Sequence, residues 1–133
     1  MSVVVVSQVQ ARVSVTIFKL GDRINMGNAS EIEVAARNAF NQGMRYLLID
    51  LANAPSITSA GLRSLLVIYR LLESGAAGQK AVSPEGGSTE ETRRSQHVKL
   101  LNSSPEVRRT LQIAGFDRYF ESHVDLEKAL ASF

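Results

Sequence analysis

The residues best placed for chemistry lie together near the middle of the chain. "PSITSAGLRSLL", Pro55 to Leu66, is a run of small polar and apolar residues that stops at Gly61 and gives way to a strongly apolar pattern. Two hydroxyls, on Thr58 and Ser59, stand at the seam. Either one can accept from the second or third amide of a helix that begins here, an N-cap worth ~1 kcal/mol. Either one can instead be an exposed group on which another molecule acts. Capping accounts for one hydroxyl. It accounts less well for "SITSAG" being small throughout, which leaves a flat, approachable backbone where a strand-to-helix loop should lie.

Other chemistries find little support. Cysteine is absent, which excludes disulfides, thiol catalysis and cysteine-ligated metals. There is no Gly-x-x-x-x-Gly-Lys-Ser/Thr phosphate loop, no Gly-x-Gly-x-x-Gly and no His-Glu-x-x-His. Ser59 is not in a Gly-x-Ser-x-Gly elbow, because Ile57 and Gly61 flank it at two residues' distance. His97 and His123, the only histidines, each lack a second ligand at a useful spacing. They are expected at a strand end and in a loop, and neither a metal nor a cofactor is expected. A Ser59/His97/Asp50 triad can be written down, but triads are defined by geometry, and nothing in the sequence brings these three together.

The elements that must position the seam are legible on both sides of it. Val3–Val6 and Val13–Phe18 are rich in β-branched residues, and Val13, Val15 and Ile17 alternate onto one face. With the short polar "SQVQAR" between them they read as a hairpin. Leu20–Asn25 reads as a turn with a short extended piece. "NASEIEVAARNAFNQG" is a helix with Ser30 and Glu33 at capping-box spacing and Ile32, Ala35, Ala36, Ala39 and Phe40 on its apolar face. Gly43 is its natural stop. "YLLIDL" lacks alternation and so reads as a strand buried on both faces.

After the seam, Gly61–Ser74 is helical in period, with Leu62, Leu65, Leu66, Tyr69 and Leu72 on one face and Gly75 as its end. Ala76–Gln96 is polar, contains Gly-Gly and a proline, and has almost no apolar anchor, so it reads as a mobile insertion. His97–Leu101 reads as a strand. Next, "SSPEVRRTLQIAG" carries Ser104 as N-cap, Pro105 at the first helical position and Gly115 beyond the end. "RYFES" is a last short strand, and "DLEKALASF" a terminal helix capped by Asp125. Strands and helices alternate after the hairpin, which predicts an α/β domain with a mixed sheet of four to five strands and about four helices packed on it.

Composition sets the outer bounds. The chain has 133 residues, enough for one domain with a real core. Its formal net charge of +2 is spread among mixed charges, too weak an excess to argue for nucleic acid. The N-terminus lacks a basic n-region and a sustained apolar h-region, and no apolar run approaches the ~20 residues of a membrane span. A cytoplasmic, monomeric domain over residues 1–133 is expected.

The sequence resembles a known family at the seam. "LLIDLANAPSITSAGLRSLLVIYRLLESG" is similar to the centre of the STAS domain, the sulfate transporter and anti-sigma factor antagonist module. Asp50-Leu51 matches the end of that family's apolar strand, and Ser59-Ala60-Gly61-Leu62 matches the start of its helix. The likeness extends to "LGDRINMGNASEIEVAARNAF" before and "VKLLNSSPEVRRTLQIAGFDRYFESHVDLEKAL" after. It implies the STAS fold. It also implies a protein that is no enzyme but a kinase substrate, an anti-sigma factor antagonist with Ser59 as phospho-acceptor. The implied partners are an anti-sigma factor that is also a serine kinase, and a serine phosphatase; no direct contact with nucleic acid or membrane is implied.

On that resemblance the partner face comprises Asn25, Gly27, Asn28, Thr58, Ser59, Ala60, Gly61, Arg63, Val67 and Arg70. The family's acidic positions just before the phospho-serine and in the loop before the first helix are occupied here by Thr58 and Asn25, which hydrogen-bond but carry no charge. Arg63, four residues after Ser59 on a helix whose side chains lean toward the N-terminus, can reach a phosphate on Ser59 or stand as a solvated charge. The competing reading is a STAS scaffold or ligand-sensing module in which Ser59 only caps the helix. A small hydrolase using Ser59 is a distant third.

Overall fold

The computed structural model describes residues 4–76 and 95–133. Most of the proposed insertion, residues 77–94, and Val3 of the first expected strand lie outside the described residues. Strands β1 (Val4–Gln10) and β2 (Ser14–Leu20) form the antiparallel hairpin, in unbroken register from Val4↔Leu20 to Gln10↔Ser14. Both strands run further than their β-branched cores. Ser7–Gln10, expected as connector, are strand because pairing with β2 satisfies the backbone groups on that side while Ser7, Gln8 and Gln10 face water.

Helix α1 (Ala29–Asn41), β3 (Leu47–Asp50), α2 (Ser59–Ala76), β4 (Val98–Leu101), α3 (Pro105–Ile113), β5 (Glu121–His123) and α4 (Leu126–Ala131) follow. The five strands lie in sequence order, β2 to β5 mutually parallel. Each crossover therefore steps the same way along the sheet, and crossovers of one hand must put their helices on one face. They do. Ile32 and Ala36 of α1, Leu65, Ile68 and Leu72 of α2, and Val107 and Leu111 of α3 share one core with Phe18, Leu20, Leu47, Ile49 and Leu100 of the sheet. Among the described residues the opposite face has only α4, whose Ala129 packs with Val15, Leu48 and Leu101.

Local signals hold where the sequence is self-sufficient. The Ser104 side chain accepts from Val107 N, Pro105 opens α3, and Gly115 follows it at φ 80°. Asp125 accepts from Glu127 N and caps α4. Gly43, at φ 109°, ends α1. The central strand β3 is buried on both faces, as its unbroken apolar run requires.

Four expectations change. The Ser30/Glu33 capping box does not form: α1 begins at Ala29 after Asn28, without a side-chain cap, and Glu33 turns to the seam with α2. Helix α2 starts two residues earlier than its apolar pattern and continues through Gly75. Its buried face is centred on Gly61, Ser64, Leu65, Ile68 and Leu72, so Ile68 replaces Leu66, which is only half-buried. Ser95, assigned to the mobile insertion, is instead buried: its hydroxyl donates to Glu73 Oε2 and accepts from the amides of His97 and Val98. "RYFES" begins in a single 3-10 turn, Phe116–Arg118, and becomes strand only at Glu121.

Candidate functional site

The seam lies at the C-terminal ends of β2 and β3, where α1 and α2 both begin. The two loops there are stitched together. Ile24 and Ile57 form a parallel bridge; Ile24 N donates to Ser56 O at 3.3 Å and Thr58 N to Ile24 O at 3.0 Å. One turn deeper, the buried Ser64 hydroxyl donates to Glu33 Oε2 at 2.7 Å and lies 3.2 Å from Ala29 O, tying the first turns of the two helices.

Gly61 makes the closeness possible. A Cβ there would lie 2.6 Å from Ile24 Cγ2, 2.7 Å from Ile57 Cγ1 and 2.8 Å from Ile24 Cβ. Only a residue without a side chain lets α2 rest directly on the bridge. Gly61 thus faces inward, and it shapes the surface without being part of it.

The two hydroxyls of the opening motif have different surroundings. Thr58 Oγ1 accepts from Gly61 N at 3.4 Å and donates to Ile24 O at 3.3 Å, while Thr58 O accepts the first intrahelical bond, from Leu62 N. Thr58 is the N-cap. Ser59 is the first helical residue and is exposed; among the described residues its hydroxyl has no partner. The backbone N–H groups of Ser59 and Ala60 likewise have none among the described residues. A free hydroxyl therefore stands over free amides at the positive end of an 18-residue helix.

On α2, Ser59, Arg63, Val67 and Arg70 recur at three- and four-residue steps and share one outward face. Arg63 and Arg70 are exposed and Val67 is half-buried. Across the stitch, the 25–28 loop is locked by its own side chains. Asn28 Oδ1 accepts from Asn25 N at 2.9 Å, Asn25 Oδ1 from Gly27 N at 2.8 Å, and Asn28 Nδ2 donates to Arg23 O at 2.8 Å. Asn25 thus spends its side chain on the loop itself.

Of the expected site residues, Ser59, Arg63, Val67 and Arg70 share one face of α2, Thr58 is joined to the segment before the 25–28 loop through Ile24, and Gly61 faces inward. Two neighbours were not anticipated. Met26, at the tip of the locked loop, is 81% exposed, and Leu66 lies on the Ser59 side of α2, half-exposed. Met26 has no sequence signature of its own. Leu66 was absorbed into the apolar period, whereas Ile68 takes the buried position.

The Ser59/His97/Asp50 triad does not assemble. Ser59 follows the C-terminal end of β3, whereas His97 precedes the N-terminal end of the parallel neighbour β4. His97 Nδ1 lies 3.0 Å from Arg45 O and its ring stacks on Tyr46. Asp50 Oδ1 accepts from Ala52 N at 3.0 Å. His123, expected in a loop, ends β5 and lies 2.8 Å from Glu121 Oε1. Among the described residues no three His, Asp or Glu side chains converge as metal ligands, and no helix is long and apolar enough to cross a membrane.

Comparison with known proteins agrees with this architecture. The STAS domain family model matches residues 6–78. The fold is similar to that of an anti-sigma factor antagonist from Mycobacterium paratuberculosis, at 20% identity and TM-score 0.69 over 97% of this chain and 92% of that one. A putative anti-sigma factor antagonist from Thermotoga maritima matches at 18% identity and TM-score 0.69, over 88% of this chain and 85% of that one. The unphosphorylated anti-sigma factor antagonist SpoIIAA matches at 17% identity and TM-score 0.61, over 96% of both chains. Comparison with curated protein sequences finds no match. A mixed five-stranded sheet with three crossover helices on one face, the Ser59-Ala60-Gly61-Leu62 helix start and the family match over more than half its length together place the chain in the STAS domain family.

Proposed function

We propose that this STAS domain is an anti-sigma factor antagonist in a phosphorylation-controlled partner switch. The unmodified form binds an anti-sigma factor that is also a serine kinase and so frees a sigma factor. Phosphorylation of Ser59 releases it, and a serine phosphatase resets it, all in the cytoplasm. The observation that carries this reading is the division of labour at the seam. Thr58 supplies the cap, so the exposed Ser59 hydroxyl is not needed for one and is available to a kinase.

The physical effect of modification follows from position. A phosphoserine adds about −1.5 to −2 charges, here over free helix amides and a positive dipole end that favour an anion. The platform beneath is braced by the Ile24–Ile57 bridge and the Ser64 bonds. Phosphorylation therefore leaves the fold standing and acts by charge and bulk within a docked face. That face is Asn25, Gly27, Asn28, Thr58, Ser59, Ala60, Arg63, Val67 and Arg70, joined by Met26 and Leu66, with Gly61 holding it from below.

The test is to incubate the protein with the kinase-type anti-sigma factors of its source organism and ATP, and to locate added phosphate by mass. Modification at Ser59 is expected, with the unmodified form binding the same protein. Ser59→Asp should weaken that binding by about tenfold or more, and Ser59→Ala should retain it. Binding that is indifferent to both substitutions, or no binding and no modification, favours the unphosphorylated scaffold instead.

Arg63 offers a second check. It stands one turn after Ser59 on the same face, within reach of a phosphate there. In the phosphoprotein, Arg63→Ala should lower thermal stability more than it does in the unmodified protein, by the few tenths of a kcal/mol to ~1 kcal/mol of an exposed ion pair. Equal effects in the two forms would make Arg63 a solvated charge.

A further inference from the structure

Among the described residues the sheet has two edges, and only one carries the usual protections. Strand β5 is three residues long and carries Glu121 and His123. Short length and charge are the usual protections of an edge. Strand β1 has neither. "VVVSQVQ" runs for seven residues in continuous register with β2, without a bulge, a proline or a charge. Val5 is 60% exposed on one face and Val6 51% exposed on the other. The face that carries Val5 is the one on which α4 packs, and α4 is built against β3–β5 and the start of β2. Val9 and Ile17, on that same face, remain partly exposed.

An edge of this kind recruits another strand, and the composition of β1 indicates which. A strand lined with charge selects a partner of the opposite sign; a neutral one puts no like charges opposite each other when it meets itself. About a two-fold axis through Ser7, the pairing is self-complementary: Val5 falls opposite Val9, Val6 opposite Gln8, and Ser7 opposite Ser7. Each exposed Val5 then gains an apolar neighbour on its own face. Such isologous contacts close after two copies.

We propose that β1 is a homodimer interface, in which two copies pair antiparallel through their β1 edges and join two five-stranded sheets into one of ten strands. Ser59 follows β3, which is separated from this edge by β2.

The absence of cysteine makes the test clean. Directly opposed residues in an antiparallel pair have Cα atoms about 4.5–5.5 Å apart, within the reach of a disulfide. Ser7→Cys should therefore cross-link rapidly to a covalent dimer under mild oxidant, while Ser30→Cys, exposed on α1, should not. Sedimentation of the unmodified chain should show a concentration-dependent dimer. Val5→Lys should raise its dissociation constant by about tenfold, since two Val5–Val9 cross-strand pairs are lost per dimer. Adding Val9→Glu should restore pairing by placing opposite charges across the axis. Circular dichroism separates lost pairing from lost fold, and the Ser7→Cys cross-link is independent of both lysine variants. A chain that stays monomeric from micromolar to millimolar concentration, with Ser7→Cys linking no faster than Ser30→Cys, would overturn the proposal.

Discussion

Lys99→Ala is expected to destabilise the domain by about 2–4 kcal/mol, the range for truncating a long buried side chain. Lys99 sits in the middle of β4 with only 4% of its surface exposed. Its ammonium donates to Ser132 O at 2.8 Å and to Ser132 Oγ at 3.0 Å, and lies 3.0 Å from Glu121 Oε1. The Phe133 ring is 5.0 Å away. A cation is thus placed under the C-terminal end of α4, where unsatisfied carbonyls favour it. Arg12, from the β1–β2 turn, reaches Ala131 O at 3.4 Å and adds a second.

A six-residue helix is far too short to be stable alone, so these contacts and the packing of Ala129 hold α4 on the sheet. Lys99→Met, which keeps the apolar stem and removes the charge, should cost less than Lys99→Ala. Equilibrium urea unfolding of both variants measures the split. Equal losses would mean that the stem alone matters.

The same cluster fixes a pH dependence. Burial pushes the Glu121 carboxyl up, but hydrogen bonds from Lys99 and His123 outweigh it and hold the group below its ordinary value of 4.5. A carboxylate depressed in the folded state contributes stability above its unfolded pKa and loses it as pH falls through the folded one. The latch is therefore fully made at neutral pH and loosens in acid. In Lys99→Met the main source of the depression is gone, so stability should fall less on acidification from the neutral range. Parallel acid-dependence in the two proteins would remove Lys99 from this role.

Gly61→Ala is the second large effect, and its sign is the informative part. In an ordinary helix interior this exchange gains ~1 kcal/mol. Here the new methyl would meet Ile24 and Ile57 at 2.6–2.8 Å, and Ile24 Cβ cannot swing aside as a flexible chain end would. Overpacking of this kind costs about 1–3 kcal/mol, so a net loss is expected. Gly61→Val should lose more. The helix start must lift from the bridge, which moves Ser59 relative to the 25–28 loop. Partner binding should therefore weaken further than the fraction unfolded accounts for. Thermal unfolding shows the first effect, and binding at a temperature where the variant is fully folded shows the second. A stabilised Gly61→Ala would refute the contact.

What the sequence determined by itself was whatever a few neighbouring residues can decide among themselves. Ser104, Pro105 and Gly115 bound α3 because a cap, a fixed φ and a left-handed residue act within one turn. Asp125 caps α4 for the same reason. The unbroken apolar run of β3 required a strand covered on both sides, and the alternation of elements required parallel crossovers. The likeness at Ser59-Ala60-Gly61-Leu62 gave the family.

Tertiary structure decided what depends on residues far apart in the chain. Ser30 and Glu33 had capping spacing, yet Glu33 accepts from Ser64, 31 residues away, because two helix starts pack side by side. As neighbouring hydroxyls Thr58 and Ser59 were told apart only by the family resemblance, which makes Thr58 the cap and Ser59 the phospho-acceptor; the return of Ile24 beside Ile57 is what gives Thr58 its second bond. The polar end of β1 became strand through its partner, and Lys99 is buried with its ammonium bonded to Ser132, 33 residues later. Local preference sets where elements begin and end; contacts between distant segments set which side chain is spent on the fold and which is left over for function.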